Sequence, residues 1–251
     1  MFYFGEYSVA ARIYFVGCLK KRTKGSNESH ARKGYPLNPR LCKTNAKLIQ
    51  KSVKQAYEKR YEDIHFDRSQ LFELINKTYH PKNVLYAGCS IHLTPAFYFP
   101  RITFVDKSNE TIQYFSDLQE ILLYINKRKH YIQKSQLQFK CADYKKPGLQ
   151  TSYDLLISLF SPRVIEYCSK YVRKDGMVLT HNYQEEARVL INNTSWKMIA
   201  YIDYHRGKYI IHEKARKEIM ERKHGSRYLR TTNDGTEYIE KEKYYIFERV
   251  K

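Results

Sequence analysis

Paired cysteines, long apolar runs and acidic residues are all scarce in this sequence, and each shortage excludes something. The five cysteines, Cys18, Cys42, Cys89, Cys141 and Cys168, are odd in number, widely scattered and never arranged as C-x-x-C. That spacing argues for free thiols in a reducing, cytoplasmic setting. The apolar opening around Ile13-Tyr14-Phe15-Val16 is interrupted by Arg12 and followed by Lys20-Lys21-Arg22. This order is wrong for a signal peptide, and the stretch is too short to span a bilayer, so no transmembrane segment is expected. A membrane-surface anchor is the one membrane reading left. His212-Glu213 is not followed by the second histidine of H-E-x-x-H, so no metal site is expected. G-x-G-x-x-G is absent as well, which removes the dinucleotide fingerprint. There is neither an internal repeat nor a long low-complexity tract.

What is abundant is positive charge. The 251 residues hold 45 Lys and Arg against 26 Asp and Glu, a formal net charge of +19. Such an excess favours nucleic acid or another polyanion as partner, through phosphate neutralisation and counterion release. The plainer reading is that the lysines solvate helix faces. The length suits one α/β domain with additions.

The stretch Lys82 to Asp106, KNVLYAGCSIHLTPAFYFPRITFVD, organises the rest. Val84-Leu85-Tyr86 is an apolar run that stops at Ala87-Gly88-Cys89-Ser90, and Ile102 to Val105 is another that stops at Asp106. Continuously apolar strands are those of a parallel sheet buried on both faces. Ligands of such a sheet gather at the carboxyl ends of its strands. A backbone-exposing turn beside one acid suits a nucleoside, whose ribose hydroxyls the acid can accept.

Around this stretch the composition sets out the domains. Residues 1–40 have the Lys, Arg, Gly, Ser and Pro content of a basic, flexible arm. Residues 41–81 form a helical extension, with one helix from Thr44 and another from about Asp67 that stops at His80-Pro81. Residues 82–251 form the main domain, with an insertion at about 205–243. In it, strands 84–87, 102–105, 137–141, 154–160 and 177–180 alternate with helices, including a short one capped by Thr94-Pro95 and a long one from Asn109 to about Lys129. Trp196 to Tyr204 is a sixth strand and Tyr244 to Val250 a seventh. Between them lie a basic helix from Glu213 to about Lys223 and a hairpin turning at Asn233-Asp234-Gly235. The expected fold is therefore α/β, a doubly wound, mostly parallel seven-stranded sheet ending in an antiparallel pair.

With those stations in order, the chain from about Asn83 to Val250 resembles the class I S-adenosylmethionine-dependent methyltransferase superfamily. The resemblance is carried by VLYAGCS, ITFVD, FKCADY, YDLLISLFSP and YVRKDGMVLTHN, and by the closing pair WKMIAYIDY and YYIFERV. It implies S-adenosylmethionine as cofactor, with Gly88, Cys89 and Ser90 lining its methionine portion and Tyr86 joining the contact set. It further implies that Asp106 accepts the ribose hydroxyls, Asp143 receives the adenine amino group, and Tyr144 or Lys107 packs on the ring. Ser158 and Phe160 would face the sulfonium and the acceptor.

Methyl transfer also asks for proton removal from an amine or hydroxyl acceptor, for which Ser161, His181 and Asn182 are the candidates at the sheet's carboxyl edge. The same residues have plainer readings: Asp106 as a helix-capping or surface acid, Asp143 as a turn residue, His181 as a polar residue closing strand five. The sequence departs from the family where a G-x-G-x-G loop is usual, since only Gly88 is present and Ile91 and His92 follow. Ser161-Pro162-Arg163 lacks the second proline and the aromatic of the amino-directed motif, and no Pro-Cys nucleophile occurs. The alternative function is a protein that keeps this fold without transfer and binds nucleic acid. Tyr204-His205-Arg206-Gly207-Lys208-Tyr209 mixes aromatic and basic residues in a way that stacks bases or, more plainly, forms a strand edge.

Overall fold

A computed structural model describes residues 53–251 except 64, 151, 160, 183–184, 206, 214–228, 233–234 and 239–242. The expected arm over 1–40, the start of the helix from Thr44 and most of the basic helix from Glu213 lie outside the described residues.

Every residue of β1 (Val84–Ala87) is buried, as its unbroken apolar run requires. It pairs in parallel with β2 (Arg101–Asp106) on one side and β4 (Tyr153–Ser158) on the other, so Val84 meets both Ile102 and Leu155. β3 (Gln136–Cys141) adds to β2, and β5 (Val172–His181) adds to β4. β10 (Lys243–Arg249) then runs antiparallel between β5 and β6 (Trp196–His205), the closing pair expected from the sequence.

The sheet has eight strands, one more than expected, in the order β3-β2-β1-β4-β5-β10-β6-β7. The additional strand, β7 (Lys208–His212), folds back on β6 at Gly207, whose φ of +80° suits a residue without Cβ. Within the mixed aromatic and basic run, Tyr204 thus pairs with Tyr209 and His205 with Lys208 at the edge of the sheet. β8 (Leu229–Thr232) and β9 (Gly235–Tyr238) pair separately as the expected hairpin, Thr232 opposite Gly235.

Strand parity divides the core. Val84, Tyr86, Ile102, Phe104, Leu155 and Ile157 face one layer, made by the helical segment 53–62 and the helices α1 (Ser69–Tyr79), α2 (Pro95–Tyr98), α3 (Asn109–Tyr114) and α4 (Leu118–Arg128). Leu85, Ala87, Val105 and Leu156 face the other, made by α5 (Val164–Cys168) and α6 (Glu186–Ile191). Covering both faces is what makes the central strands apolar throughout. α1 ends at His80, which takes φ 50° just before Pro81 stops the helix.

Two helix expectations need correction. The long helix from Asn109 to about Lys129 is broken, because the Asp117 carboxylate accepts the Glu120 N–H and starts α4 afresh. Thr94 precedes Pro95 as expected but makes no side-chain cap. Its hydroxyl instead pairs with the Tyr57 hydroxyl at 2.6 Å and with His92 Nε2 at 3.0 Å.

Candidate functional site

At the end of β1 the chain turns through two left-handed residues, Gly88 (φ 64°) and Ser90 (φ 50°). For serine that conformation costs roughly 1–2 kcal/mol, and it turns the Ser90 N–H toward the end of β2. The Ser90 N–H donates to Asp106 Oδ2 at 2.9 Å, and the Ser108 N–H donates to Asp106 Oδ1 at 2.8 Å. The carboxylate at the end of β2 therefore sits beside the β1 turn, half-buried, with one lone pair on each oxygen still available. The Gly88 N–H donates to the Val105 carbonyl at 2.8 Å, extending the β1–β2 ladder into the turn.

Along the same edge, Lys107 Nζ donates to Asp143 Oδ2 at 2.8 Å and the Lys145 N–H donates to Asp143 Oδ1 at 2.9 Å. The hydrogen bond from Lys107 and then that from Lys145 hold the Asp143 carboxyl below its ordinary range, and Asp143 in turn raises the Lys107 ammonium. The Tyr144 hydroxyl donates to the Pro162 carbonyl at 2.9 Å, so the loop after β3 reaches across to the loop after β4.

That second loop carries Ser161, whose hydroxyl donates to the Gly88 carbonyl at 2.9 Å. A Cβ at Gly88 would stand 2.0 Å from Ser161 Oγ and 3.7 Å from Tyr144 Cε1. The ground above Gly88 is thus occupied by protein.

Gly88, Ser90, Asp106, Lys107, Asp143, Tyr144 and Ser161 are all brought to the carboxyl ends of β1 to β4. Others expected there face inward. Cys89 is 1% exposed, and burial pushes its thiol well above the usual range. Tyr86 points into the core, within 3.1 Å of His92 Nδ1. His92 Nε2 lies 3.0 Å from the Asp67 carbonyl, an acceptor only. Nε2 therefore carries the ring proton, and Nδ1 accepts from the Tyr86 hydroxyl. Ser158 is fully buried, Asn182 is half-buried, and Phe160 lies outside the described residues. His181 is 4% exposed, and burial followed by the Arg68 charge pulls its imidazole down to about 3. In this conformation the His181 imidazole at the end of β5 is neutral near pH 7.

Glu186 was not anticipated from the sequence. It is 4% exposed. Its Oε2 accepts the Ile165 N–H at 2.9 Å and stands 3.5 Å from the Ser158 hydroxyl. Burial raises its carboxyl, with the N–H groups of Ile165, Arg163 and Val164 and the Ser158 hydroxyl opposing. It ties the start of α6 to the start of α5 and the end of β4. The only sequence signal for it was a pair of acids, Glu185-Glu186, shortly after strand five. Among the described residues no group of histidine, cysteine and acidic side chains is arranged to hold a metal ion. No described helix is long and apolar enough to cross a membrane.

No protein-family model matches the chain. No curated protein matches it either. Solved structures do. The N-methyltransferase NodS from Bradyrhizobium japonicum, in complex with S-adenosyl-L-homocysteine, is 10% identical, with 81% of this chain and 99% of that one covered and a TM-score of 0.46. A putative O-methyltransferase from Klebsiella pneumoniae is 10% identical over 85% and 91% of the two chains, TM-score 0.44. A methyltransferase from Geobacter sulfurreducens is 10% identical over 86% and 98%, TM-score 0.43.

Proposed function

We propose that this chain is an S-adenosylmethionine-dependent methyltransferase. The observation that carries the reading is the Asp106 carboxylate, presented at the end of β2 beside the Gly88–Ser90 turn and steadied by two backbone N–H groups. Asp106 has capacity for both ribose hydroxyls, and Asp143, Lys107 and Tyr144 supply polar and aromatic partners on the adenine side. The adenosyl end of the cofactor fits these residues. The methionyl end meets Ser161 above Gly88. When bound, the cofactor supplies an electrophilic methyl group on sulfur. The protein's share is to orient it, exclude water and accept a proton from the acceptor.

Titration calorimetry with S-adenosylmethionine and its demethylated product tests this. Micromolar binding that Asp106→Ala weakens at least tenfold is expected. Absence of binding, or binding indifferent to Asp106, contradicts the assignment.

A second reading, the same fold without transfer and with a nucleic acid or other polyanion as ligand, draws on the Ser161–Gly88 contact and on charge. Residues 1–52 alone carry eleven Lys and Arg against two acids. Its test is affinity for a mixed-sequence RNA or DNA against salt: a steep inverse dependence supports it, and a flat one rejects it. The expected domain limits belong with either reading, as does the expected cytoplasmic setting.

A further inference from the structure

β1 lies between β2 and β4 in the sheet. A ligand anchored at Asp106 on β2 that also reaches the ends of β4 and β5 must therefore pass over Gly88, at the end of β1. Two links cross that passage. Ser161 donates to the Gly88 carbonyl at 2.9 Å, and Tyr144 donates to the Pro162 carbonyl at 2.9 Å. The contact is close enough that even a methyl group on Gly88 would overlap Ser161 Oγ and Cβ, at 2.0 and 2.3 Å.

We propose that Ser161 sets the length of ligand the cleft accepts: a nucleoside occupies the Asp106 end with Ser161 in place, whereas S-adenosylmethionine enters only by displacing it. The inference rests on the assignment of Asp106 to the ribose. What selects between the two ligands is one neutral hydrogen bond and the bulk of one hydroxymethyl group. Adenosine ends at its 5′ hydroxyl and stays on the β2 side. S-adenosylmethionine extends past the ribose through its sulfonium and amino acid chain, and its entry breaks the Ser161–Gly88 bond and leaves the carbonyl to a new partner. Ser161 is a specificity-determining residue in this account. Glu186 is a positioning residue, since it holds the N–H of Ile165 in the first turn of α5, just after the Ser161 loop.

The experiment measures binding of adenosine and of S-adenosylmethionine to the full chain and to the variants Ser161→Gly and Ser161→Ala. Removing the side chain is expected to tighten S-adenosylmethionine binding about fivefold, the size of one net neutral hydrogen bond. Adenosine binding should stay within about twofold of the unaltered chain, within the ordinary scatter of such contacts. Ser161→Ala, which removes the hydroxyl and keeps Cβ, is expected to give part of the gain. S-adenosylmethionine binding that is unchanged or weaker in both variants, with adenosine binding intact, overturns the role of Ser161. Failure of adenosine to bind any of the three proteins overturns the ribose assignment itself.

Discussion

The backbone N–H of Ser90 donates to Asp106 Oδ2 at 2.9 Å, so the turn that ends β1 is pinned to the carboxylate that ends β2. Two residues sixteen apart in sequence thereby define one rim of the cleft. Replacing Asp106 by Ala removes the acceptor of both the Ser90 and Ser108 N–H groups. The expected loss is about 2 kcal/mol of unfolding free energy, the range for charge-assisted hydrogen bonds. Urea denaturation checks it: the midpoint should fall with the slope unchanged. A loss below about 0.5 kcal/mol would mean that the turn holds itself without this acid.

Gly88→Ala should be the more damaging change. The backbone there has φ 64°, and the added methyl group would lie 2.0 Å from Ser161 Oγ and 2.3 Å from its Cβ. Left-handed strain of about 1–2 kcal/mol adds to an overpacking cost of about 1–3 kcal/mol. Thermal unfolding should show a loss of several degrees or more, and pairing with Ser161→Gly should recover the overpacking share while leaving the strain. Equal destabilisation in the single and double variants would refute the steric account.

Glu186 gives a pH dependence of definite sign. Burial lifts its carboxyl above the ordinary 4.5 in the folded chain. The folded state thus holds its proton where the unfolded state has released it, and this group's contribution to stability falls as pH rises from about 4.5 through the raised value. Glu186→Gln keeps an oxygen for the Ile165 N–H and cannot titrate. Denaturation midpoints for the unaltered chain, measured relative to this variant, should decline over that window. Parallel curves would show that the carboxyl titrates alike in both states.

The two buried histidines act in the opposite direction. For both His92 and His181, burial first and then the Arg68 charge pull the imidazole from 6.5 down to about 3. The unfolded chain protonates first, so their contribution to stability is complete above about 6.5 and is lost as pH falls toward 3. The sequence has nine histidines. Proton NMR between pH 5 and 8 is expected to show at least two imidazoles that do not titrate; titration of all nine would place His92 and His181 in a different environment.

The alternating architecture and the position of Asp106 were legible because they depend on local pattern. Val84 to Ala87 and Ile102 to Val105 are apolar throughout, and only a strand covered on both faces tolerates that. The Gly88 turn was legible for a similar reason, since small residues between an apolar run and a crossover permit left-handed backbone. β7 was not legible as a strand of the main sheet, because its mix of Tyr, Lys and Ile marks a strand edge without saying which sheet it joins. The Asp117 cap that breaks the long helix was hidden under an apolar repeat that continues through the break.

The side-chain assignments divide along the same line. The residue types at the strand ends, and the order in which the strands deliver them, follow from the sequence alone, because burial dictates where apolar runs begin and stop. Tertiary structure alone decided which of those side chains look outward. Strand parity turned Tyr86 into the core, and packing below the turn took Cys89. Desolvation kept His181 neutral. Ser161 reached Gly88 and Glu186 reached Ser158 across 73 and 28 residues, contacts created by laying β1, β4 and β5 side by side, for which no local pattern in the chain selects.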